Sequence, residues 1–174
     1  MQQRLTTTLA LALVALAGPA SAQPAAPTLL DRLVGKWVLT GVLSGKETTH
    51  DVDAEWVLNR EYVRLHEVSR EKDNRGGPAY EAIIFIAPDP KTGEYVCLWL
   101  DNTEGGGLSN DGLARGKPTA DSIPFVFFPG TRNAFHNTFV YSTADDTWKW
   151  IMDGESDGQL HPFARLTLTR AKPR

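Results

Sequence analysis

The chain is made up largely of short runs of β-branched and aromatic residues, bounded by Gly, Pro, Asn and Asp, and this pattern constrains the fold most. We predict about ten sequential strands of this kind, joined by hairpin-like links. They are expected at residues 36–43, 51–58, 62–69, 80–87, 95–101, 108–115, 122–128, 134–142, 147–152 and 163–170. Such a series favours an antiparallel up-and-down meander closed into a barrel, because closure removes exposed sheet edges. A flat or sandwiched sheet is the alternative.

A single short helix is expected ahead of the strands, over residues 28–34. Thr28 is the predicted N-cap, Asp31 stands at the capping-box position, and Gly35 ends the helix. Since the sequence indicates no helix longer than this one, a parallel α/β fold is excluded and the chain is predicted to be all-β.

The first 22 residues have the three-part pattern of a secretory signal peptide. Arg4 precedes an apolar stretch at residues 9–17, and the small residues Ala20, Ser21 and Ala22 follow it. A membrane anchor is the alternative, but the apolar stretch is shorter than the roughly 20 residues needed to cross a bilayer. We expect residues 1–22 to be a signal peptide, 23–27 a linker and 28–174 one barrel domain. The mature protein is then exported, soluble, and periplasmic or secreted.

Charge and cysteine content narrow the possible partners and the sources of stability. The formal net charge is −3 and no basic run occurs, so nucleic acid is not an expected partner. Cys97 is the only cysteine, so an intramolecular disulfide is impossible and stability must come from the core. We expect Cys97 to be a buried small apolar residue rather than a reactive thiol.

The helix leading into Gly35, Lys36 and Trp37 resembles the G-x-W entry of the lipocalin and calycin barrels. That resemblance implies that Trp37 closes one end of the barrel and that a basic residue of the last strand stacks over it, Arg170 or otherwise Arg165. The contact is structural, since a cation over an indole contributes about 0.5–2 kcal/mol. The wider pattern at residues 33–37, 55–63, 148–150, 157–158 and 166–170 resembles a family of exported lipocalin-like domains of unknown function. It implies a fold and no established activity.

Strand alternation sends every second side chain into the barrel, whose interior at about ten strands is wide enough for a ligand. The two faces of the fifth strand are both apolar in places, so the sequence leaves open which one points inward. Lys149 belongs outside, so the two tryptophans beside it point inward, either lining a cavity or filling the core. The candidate cavity residues are Trp56, Tyr62, Arg64, His66, Trp99, Asn137, Tyr141, Trp148 and Trp150.

The third strand decides whether polar groups enter the barrel. Tyr62, Arg64 and His66 share one face and, pointing inward, supply polar groups to a cavity. In the alternative, which we favour for this strand, Arg64 and His66 face solvent while Val63 and Leu65 pack inside. An isomerase or hydrolase site is possible only with the inward orientation. It would be built from four residues, Tyr62, Arg64, His66 and Tyr141.

The histidines give no metal-binding spacing, and no cofactor is expected. The sequence around His50 is typical of a solvated strand start. The nitrobindins, ten-stranded barrels that ligate haem through a histidine, are distantly similar, and this similarity implies haem as an alternative. His161, just ahead of the last strand, is then the candidate proximal ligand and His136 the second choice; otherwise His161 is a loop residue.

We therefore expect a non-enzymatic protein that binds a small apolar or amphipathic molecule inside the barrel, without stable membrane insertion. A haem or gas carrier, a barrel-interior enzyme and an envelope interaction module are the alternatives. No nucleophile elbow or dinucleotide fingerprint occurs, and the glycines at 105–107 precede no helix, so they indicate a flexible loop near a barrel mouth rather than a phosphate site.

Overall fold

The computed structural model describes residues 27–103 and 110–172. The predicted signal peptide, linker residues 23–26 and the glycines at 105–107 lie outside the described residues. The described part contains α1 (Leu29–Leu33), β1 (Gly35–Leu43), β2 (Lys46–Val57), β3 (Tyr62–Ser69), β4 (Glu81–Asp89), β5 (Glu94–Asp101), one 3₁₀ turn (Asn110–Gly112), β6 (Leu113–Gly116), β7 (Ser122–Phe127), β8 (Phe135–Ser142), β9 (Thr147–Ser156) and β10 (Gln159–Arg170). None of the helices in these ranges is long and apolar enough to cross a membrane.

The ten strands form one closed antiparallel barrel in chain order. Closure is made by β1 and β10, which pair from Trp37 opposite Arg170 to Leu43 opposite Ala164. The predicted up-and-down barrel is thereby confirmed, and the sandwiched alternative is wrong. Each strand has two neighbours, so the described sheet has no free edge.

Most strand bounds agree with the sequence within two residues, and tight hairpins account for the strands that are longer than predicted. β2 begins at Lys46 rather than 51, because Ser44 and Gly45 both adopt positive φ, 49° and 79°, and turn the chain in two residues. Asp157 and Gly158 do the same at 52° and 75°. β10 therefore begins at 159 rather than 163. β6 is shorter than predicted, at four residues.

Helix α1 lies at the end of the barrel where the resemblance placed Trp37. Thr28 caps it, and its hydroxyl and Asp31 form the reciprocal hydrogen bonds of a capping box. Leu30 and Leu33 are buried against the core. The Trp37 indole, 1% exposed, donates from Nε1 to the Leu33 carbonyl at 2.7 Å and so fixes the helix over the barrel.

Arg170 is the basic residue that stacks on Trp37. Its guanidinium carbon lies 3.7 Å from the ring centre, and Nη1 donates to the Val34 carbonyl at 2.7 Å. Gly35 adopts φ of +135°, and a Cβ there would lie 2.2 Å from Arg170 Nη1, so only glycine fits without displacement. The alternative, Arg165, instead donates to the Met152 carbonyl.

The middle of the barrel is filled by aromatic side chains. Trp148 and Trp150 both point inward and are fully buried. Trp150 stacks on Phe139 with ring centres 4.4 Å apart, and Phe139 meets Trp148 edge-on at 6.4 Å. Cys97 is also fully buried, as predicted, and burial raises the pKa of its thiol, so it stays protonated.

Candidate functional site

A cavity of about 1370 Å³ occupies the end of the barrel opposite α1. Its walls include Leu43 and Lys46, at the far end of β1 and the start of β2, whereas Trp37 lies at the near end of β1. Asn137 and Met152 also line it, above the buried Trp150. We call this space the open-end cavity, and the region around α1, Trp37 and Arg170 the closed end.

One wall of the open-end cavity is built on a buried histidine–glutamate pair. His50 on β2 and Glu67 on β3 are each 2% exposed. His50 Nδ1 lies 2.5 Å from Glu67 Oε1, and its Nε2 lies 2.7 Å from the Thr48 hydroxyl. Both imidazole nitrogens are thus engaged, which fixes the ring.

The hydrogen bonds continue from His50 toward the cavity mouth. The Thr48 hydroxyl donates to Glu71 Oε2 at 3.1 Å, and the Thr49 amide donates to Glu71 Oε1 at 3.0 Å. Partial burial acts to raise the pKa of Glu71, but these hydrogen bonds outweigh it and the net shift is downward. Glu71 is therefore ionised at neutral pH and ends a chain of hydrogen bonds that begins at Glu67.

Glu67 is the most unusual ionisable group in the cavity. Burial raises the pKa of its carboxyl above the ordinary value of 4.5; the hydrogen bond and charge of His50 oppose this rise, and the charge of Asp101 adds to it. Its second oxygen, Oε2, is buried and makes no hydrogen bond with the described residues. A carboxylate oxygen in that state is costly to bury unless a partner approaches it.

Small residues between the polar groups leave room on this wall. Ser69 pairs with His50 across the sheet, and its hydroxyl accepts a hydrogen bond from the Tyr80 amide. The rings of His50 and Tyr80 stack with their centres 5.6 Å apart. One row further in, Ala82 pairs with Glu67 on one side and with Asp101 on the other. Glu67 and Asp101 therefore stand in the same row of the barrel wall, with Ala82 on the strand between them.

The opposite wall is aromatic. Trp99 meets Phe127 edge-on at 6.2 Å, Phe127 meets Phe135 at 6.5 Å, and Phe135 meets Phe163 at 5.3 Å. All four line the cavity. The result is a continuous apolar surface running from β5 to β10.

Tyr80 joins the two walls. Its hydroxyl accepts a hydrogen bond from Trp99 Nε1 at 3.0 Å and lies 3.5 Å from Asp101 Oδ2. Burial, followed by the charges of Glu67 and Asp101, raises the pKa of the phenol, so Tyr80 stays neutral. The cavity thus has one polar and one apolar side with a fixed boundary between them.

Of the predicted cavity residues, Trp99 and Asn137 line the space. Trp150 donates from Nε1 to the Asn137 side chain from below, and Trp148 lies deeper, so these two indoles fill the core instead of lining the cavity. The sequence left open which face of the fifth strand points inward. The face that carries Trp99 does, because Cys97 on that face is fully buried.

Trp56 and Tyr141 point inward but lie at the closed end. Trp56 Nε1 donates to Asp31 at 2.9 Å, which ties β2 to α1. The Tyr141 hydroxyl donates to Asp146 at 2.9 Å, and Asp146 also accepts from Arg170. Both residues have structural roles away from the open-end cavity.

Tyr62, Arg64 and His66 were named as candidate cavity residues on condition that they point inward, and the structure corrects this. These side chains lie on the outer face of β3, where Arg64 pairs with Glu55 at 2.5 Å and His66 with Glu81 at 2.7 Å. Val63 and Leu65 are fully buried in their place, as the alternative expected, because apolar side chains gain most from facing the core. The isomerase or hydrolase site that depended on the first orientation is not assembled.

The histidines nominated for haem do not lie in the cavity. His161 is exposed and belongs to β10 itself rather than to a loop before it. His136 faces outward and pairs with Glu155 at 2.8 Å. Neither placement suits a proximal ligand inside the barrel, and His50, which does face the cavity, has both nitrogens hydrogen-bonded. Across residues 27–103 and 110–172, no three or more His, Cys, Asp or Glu side chains are grouped to hold a metal ion.

Sequence reasoning missed His50 and Glu67, although strand alternation contained the signal for both. The inward face of β2, identified by Val52 and Ala54, reaches His50 when extended by two residues. The inward face of β3 likewise reaches Glu67 two residues beyond Leu65. The acidic residues next to His50 concealed this by suggesting a solvated strand start.

No family model matches the chain, and no curated protein matches it. Among solved structures, the chain is similar to the crystal structure of Rv2717c from M. tuberculosis, with a TM-score of 0.53 and 15% identity. The match covers 82% of this chain and 95% of that chain. At this identity the likeness shows the fold alone. Together with the closed ten-stranded barrel, it supports a lipocalin-like fold.

Proposed function

We propose that this protein binds a small amphipathic molecule in the open-end cavity. The observation that carries the proposal is the division of one cavity into an aromatic wall and a wall of buried, hydrogen-bonded polar groups. Small-molecule sites combine a largely apolar lining with a few fixed polar groups that orient the ligand.

The size of the cavity supports a ligand rather than incomplete packing. Drug-sized sites enclose roughly 300–1,000 Å³, so this space of about 1370 Å³, which opens to solvent at the barrel end, has room for such a ligand. Protein interiors are otherwise close-packed, as the stacked Trp150 and Phe139 show in the middle of this barrel. The barrel is therefore filled where it needs stability and left open at one end.

We also propose that residues 1–22 direct export and are removed after Ala22. The support is the order of charge, apolar stretch and small residues in the sequence. The intact mass of protein recovered from the extracytoplasmic fraction tests this, because the expected chain begins at Gln23. A full-length mass, or recovery only from the cytoplasm, contradicts it.

Titration with N-phenyl-1-naphthylamine, a neutral apolar fluorescent probe, tests the binding proposal. We expect saturable binding of one probe per chain, with energy transfer from tryptophan to the probe. Trp99 lines the cavity and Trp56 lies at the closed end, so Trp99→Phe should remove a larger share of the transfer than its matched control, Trp56→Phe. Absence of saturable binding, or equal losses in the two variants, contradicts the proposal.

A further inference from the structure

The open-end cavity contains an acceptor that no described protein group satisfies. Glu67 is almost fully buried, its Oε1 is held by His50, and its Oε2 makes no hydrogen bond with the described residues. Glu67 is among the residues that line the cavity. A ligand that brings a donor to Oε2 would therefore satisfy a buried group that is otherwise left without a partner.

A second carboxylate lies on the same wall. Asp101 occupies the inward row of Glu67, with only Ala82 between them. Its Oδ1 is held by the amide and hydroxyl of Thr103, and its Oδ2 lies 3.5 Å from the Tyr80 hydroxyl. The charge of Asp101 disfavours ionisation of Glu67, so the two groups repel each other across this gap.

The remaining ionisable groups of the cavity do not offset this negative charge. The acidic lining residues outnumber the basic ones, and His50, even when protonated, balances only one carboxylate. Apart from Asp111, which has an interaction of its own, the acidic set of the described lining is Glu47, Glu67, Glu71 and Asp101, and the basic set is Lys46 and His50. An anionic headgroup would be repelled here, and a cationic one attracted.

The aromatic wall suits the same kind of ligand. Trp99 stands on the same inward face of β5 as Asp101, two residues away, and its indole continues into Phe127 and Phe135. Ring faces attract cations, and their bodies take up apolar chains. A molecule with a positive head at the carboxylates can therefore lay its apolar part along this wall.

We infer that the open-end cavity selects a ligand with a protonated amine on an apolar body, the ammonium group lying between Glu67 and Asp101 beside Ala82. This inference rests on the proposed function and specifies its ligand class. Ammonium N–H groups supply the donors that Glu67 Oε2 lacks, and the positive charge relieves the repulsion between the two carboxylates.

The test compares three ligands of similar shape and different charge: phenylbutylamine, phenylbutanol and phenylbutyrate. Affinity is measured at neutral pH by calorimetry and by displacement of N-phenyl-1-naphthylamine. We expect the amine to bind about tenfold more tightly than the alcohol, since a hydrogen bond to a charged group contributes roughly 1.5–3 kcal/mol. The carboxylate is expected to bind most weakly.

Glu67→Gln keeps the shape of the side chain and removes its charge, so it should abolish the preference for the amine over the alcohol. Glu81→Gln is the matched control, because Glu81 pairs with His66 on the outer face, and it should leave the preference unchanged. Circular dichroism establishes that each variant folds. If Glu67→Gln does not fold, Asp101→Asn serves as the second variant and should reduce the amine preference.

The outcomes separate this inference from the proposed function. Equal affinities for the three ligands, tightest binding of phenylbutyrate, or displacement of the probe by none of them overturns the amine assignment while probe binding still supports a binding cavity. An amine preference that survives intact in Glu67→Gln overturns the role of Glu67. Failure of the probe itself to bind overturns the proposed function and this inference together.

Discussion

The two ends of this barrel are built from the same strands but treat their inward positions in opposite ways. At the closed end, inward positions carry Trp37, Trp56 and Tyr141, and the indole nitrogens of the two tryptophans and the hydroxyl of the tyrosine are each hydrogen-bonded. At the open end, small residues such as Ala82 and Ser69 alternate with buried polar groups, and space remains. A ten-stranded barrel is wide enough for both, so the choice of side chains decides which end is filled.

The middle of the barrel and the open-end cavity each contain a buried polar atom without a hydrogen bond, and the two atoms differ in kind. Trp148 Nε1, in the filled middle, is buried without a hydrogen bond, as is Glu67 Oε2 in the cavity. A neutral indole N–H is far less costly to bury unpaired than a carboxylate oxygen. The comparison teaches that the closed end is organised for stability, whereas the open end keeps a buried carboxylate oxygen without a hydrogen bond, which a ligand could supply.

The largest expected effect is at the closed end. Trp37→Ala should lower the free energy of unfolding by about 3–5 kcal/mol, because it removes a fully buried indole together with its hydrogen bond to Leu33 and its stacking contact with Arg170. Trp99→Ala at the half-buried cavity wall should cost about 1–2 kcal/mol. Urea unfolding of both variants checks the comparison. Equal losses would mean that the two ends contribute alike to stability.

A smaller effect is expected from the backbone of the closed end. Gly35→Ala should destabilise by about 1–3 kcal/mol, since φ of +135° is unfavourable for alanine and the new methyl would meet Arg170. Gly154→Ala is the control, because no atom lies within 4 Å of its added Cβ and its φ is not positive; it should change stability by less than about 0.5 kcal/mol. Thermal unfolding distinguishes the two variants. If Gly35→Ala is as stable as the unaltered protein, the described stacking of Arg170 on Trp37 beside Gly35 is contradicted.

The smallest expected effect on stability is at Glu67, and it depends on pH. The native state raises the pKa of Glu67 above 4.5, so the stability associated with its neutral form is present below that pH and is lost as pH rises through the native pKa. Glu67→Gln cannot ionise. Its free energy of unfolding relative to the unaltered protein should therefore increase as pH rises from 4.5 toward neutrality.

Glu81→Gln is again the control for this pH series, which is measured by urea unfolding. The titratable groups that face Glu67 are His50 on β2, Tyr80 before β4 and Asp101 on β5, and they are the same in both variants. An increase of equal size in Glu81→Gln, or a decrease in Glu67→Gln, contradicts the account of the cavity wall.

The sequence predicted the fold better than the cavity, for a physical reason. Turn residues and alternation are local, so β3 was predicted at its observed bounds. The contact between Trp37 and Arg170 came instead from the resemblance to lipocalin and calycin barrels, which left Arg165 as the other option. Whether an inward position is filled depends on which large side chains arrive from other strands. That is why the sequence left open whether Trp148 and Trp150 line a cavity or fill the core, and the structure shows that they fill the core.

Polar residues on inward faces were the other difficulty. His50 and Glu67 are buried because they satisfy each other across β2 and β3, and a pairing between strands is not visible from either strand alone. Arg64 and His66 were the candidates instead, although the outward orientation was favoured for both, and their partners, Glu55 and Glu81, are on the outer face. Alternation limits such residues to two faces, and only the assembled barrel selects one.

The most direct test of the difference between the two ends is nuclear magnetic resonance of the tryptophan side chains during titration with N-phenyl-1-naphthylamine. Each indole N–H gives its own signal, and Trp37, Trp56, Trp99, Trp148 and Trp150 sample the barrel from one end to the other. We predict a saturable shift at Trp99, a smaller one at Trp150 below Asn137, and none at Trp37 or Trp56. Shifts centred on Trp37 or Trp56, or none at all at saturating probe, would contradict an open-end binding cavity.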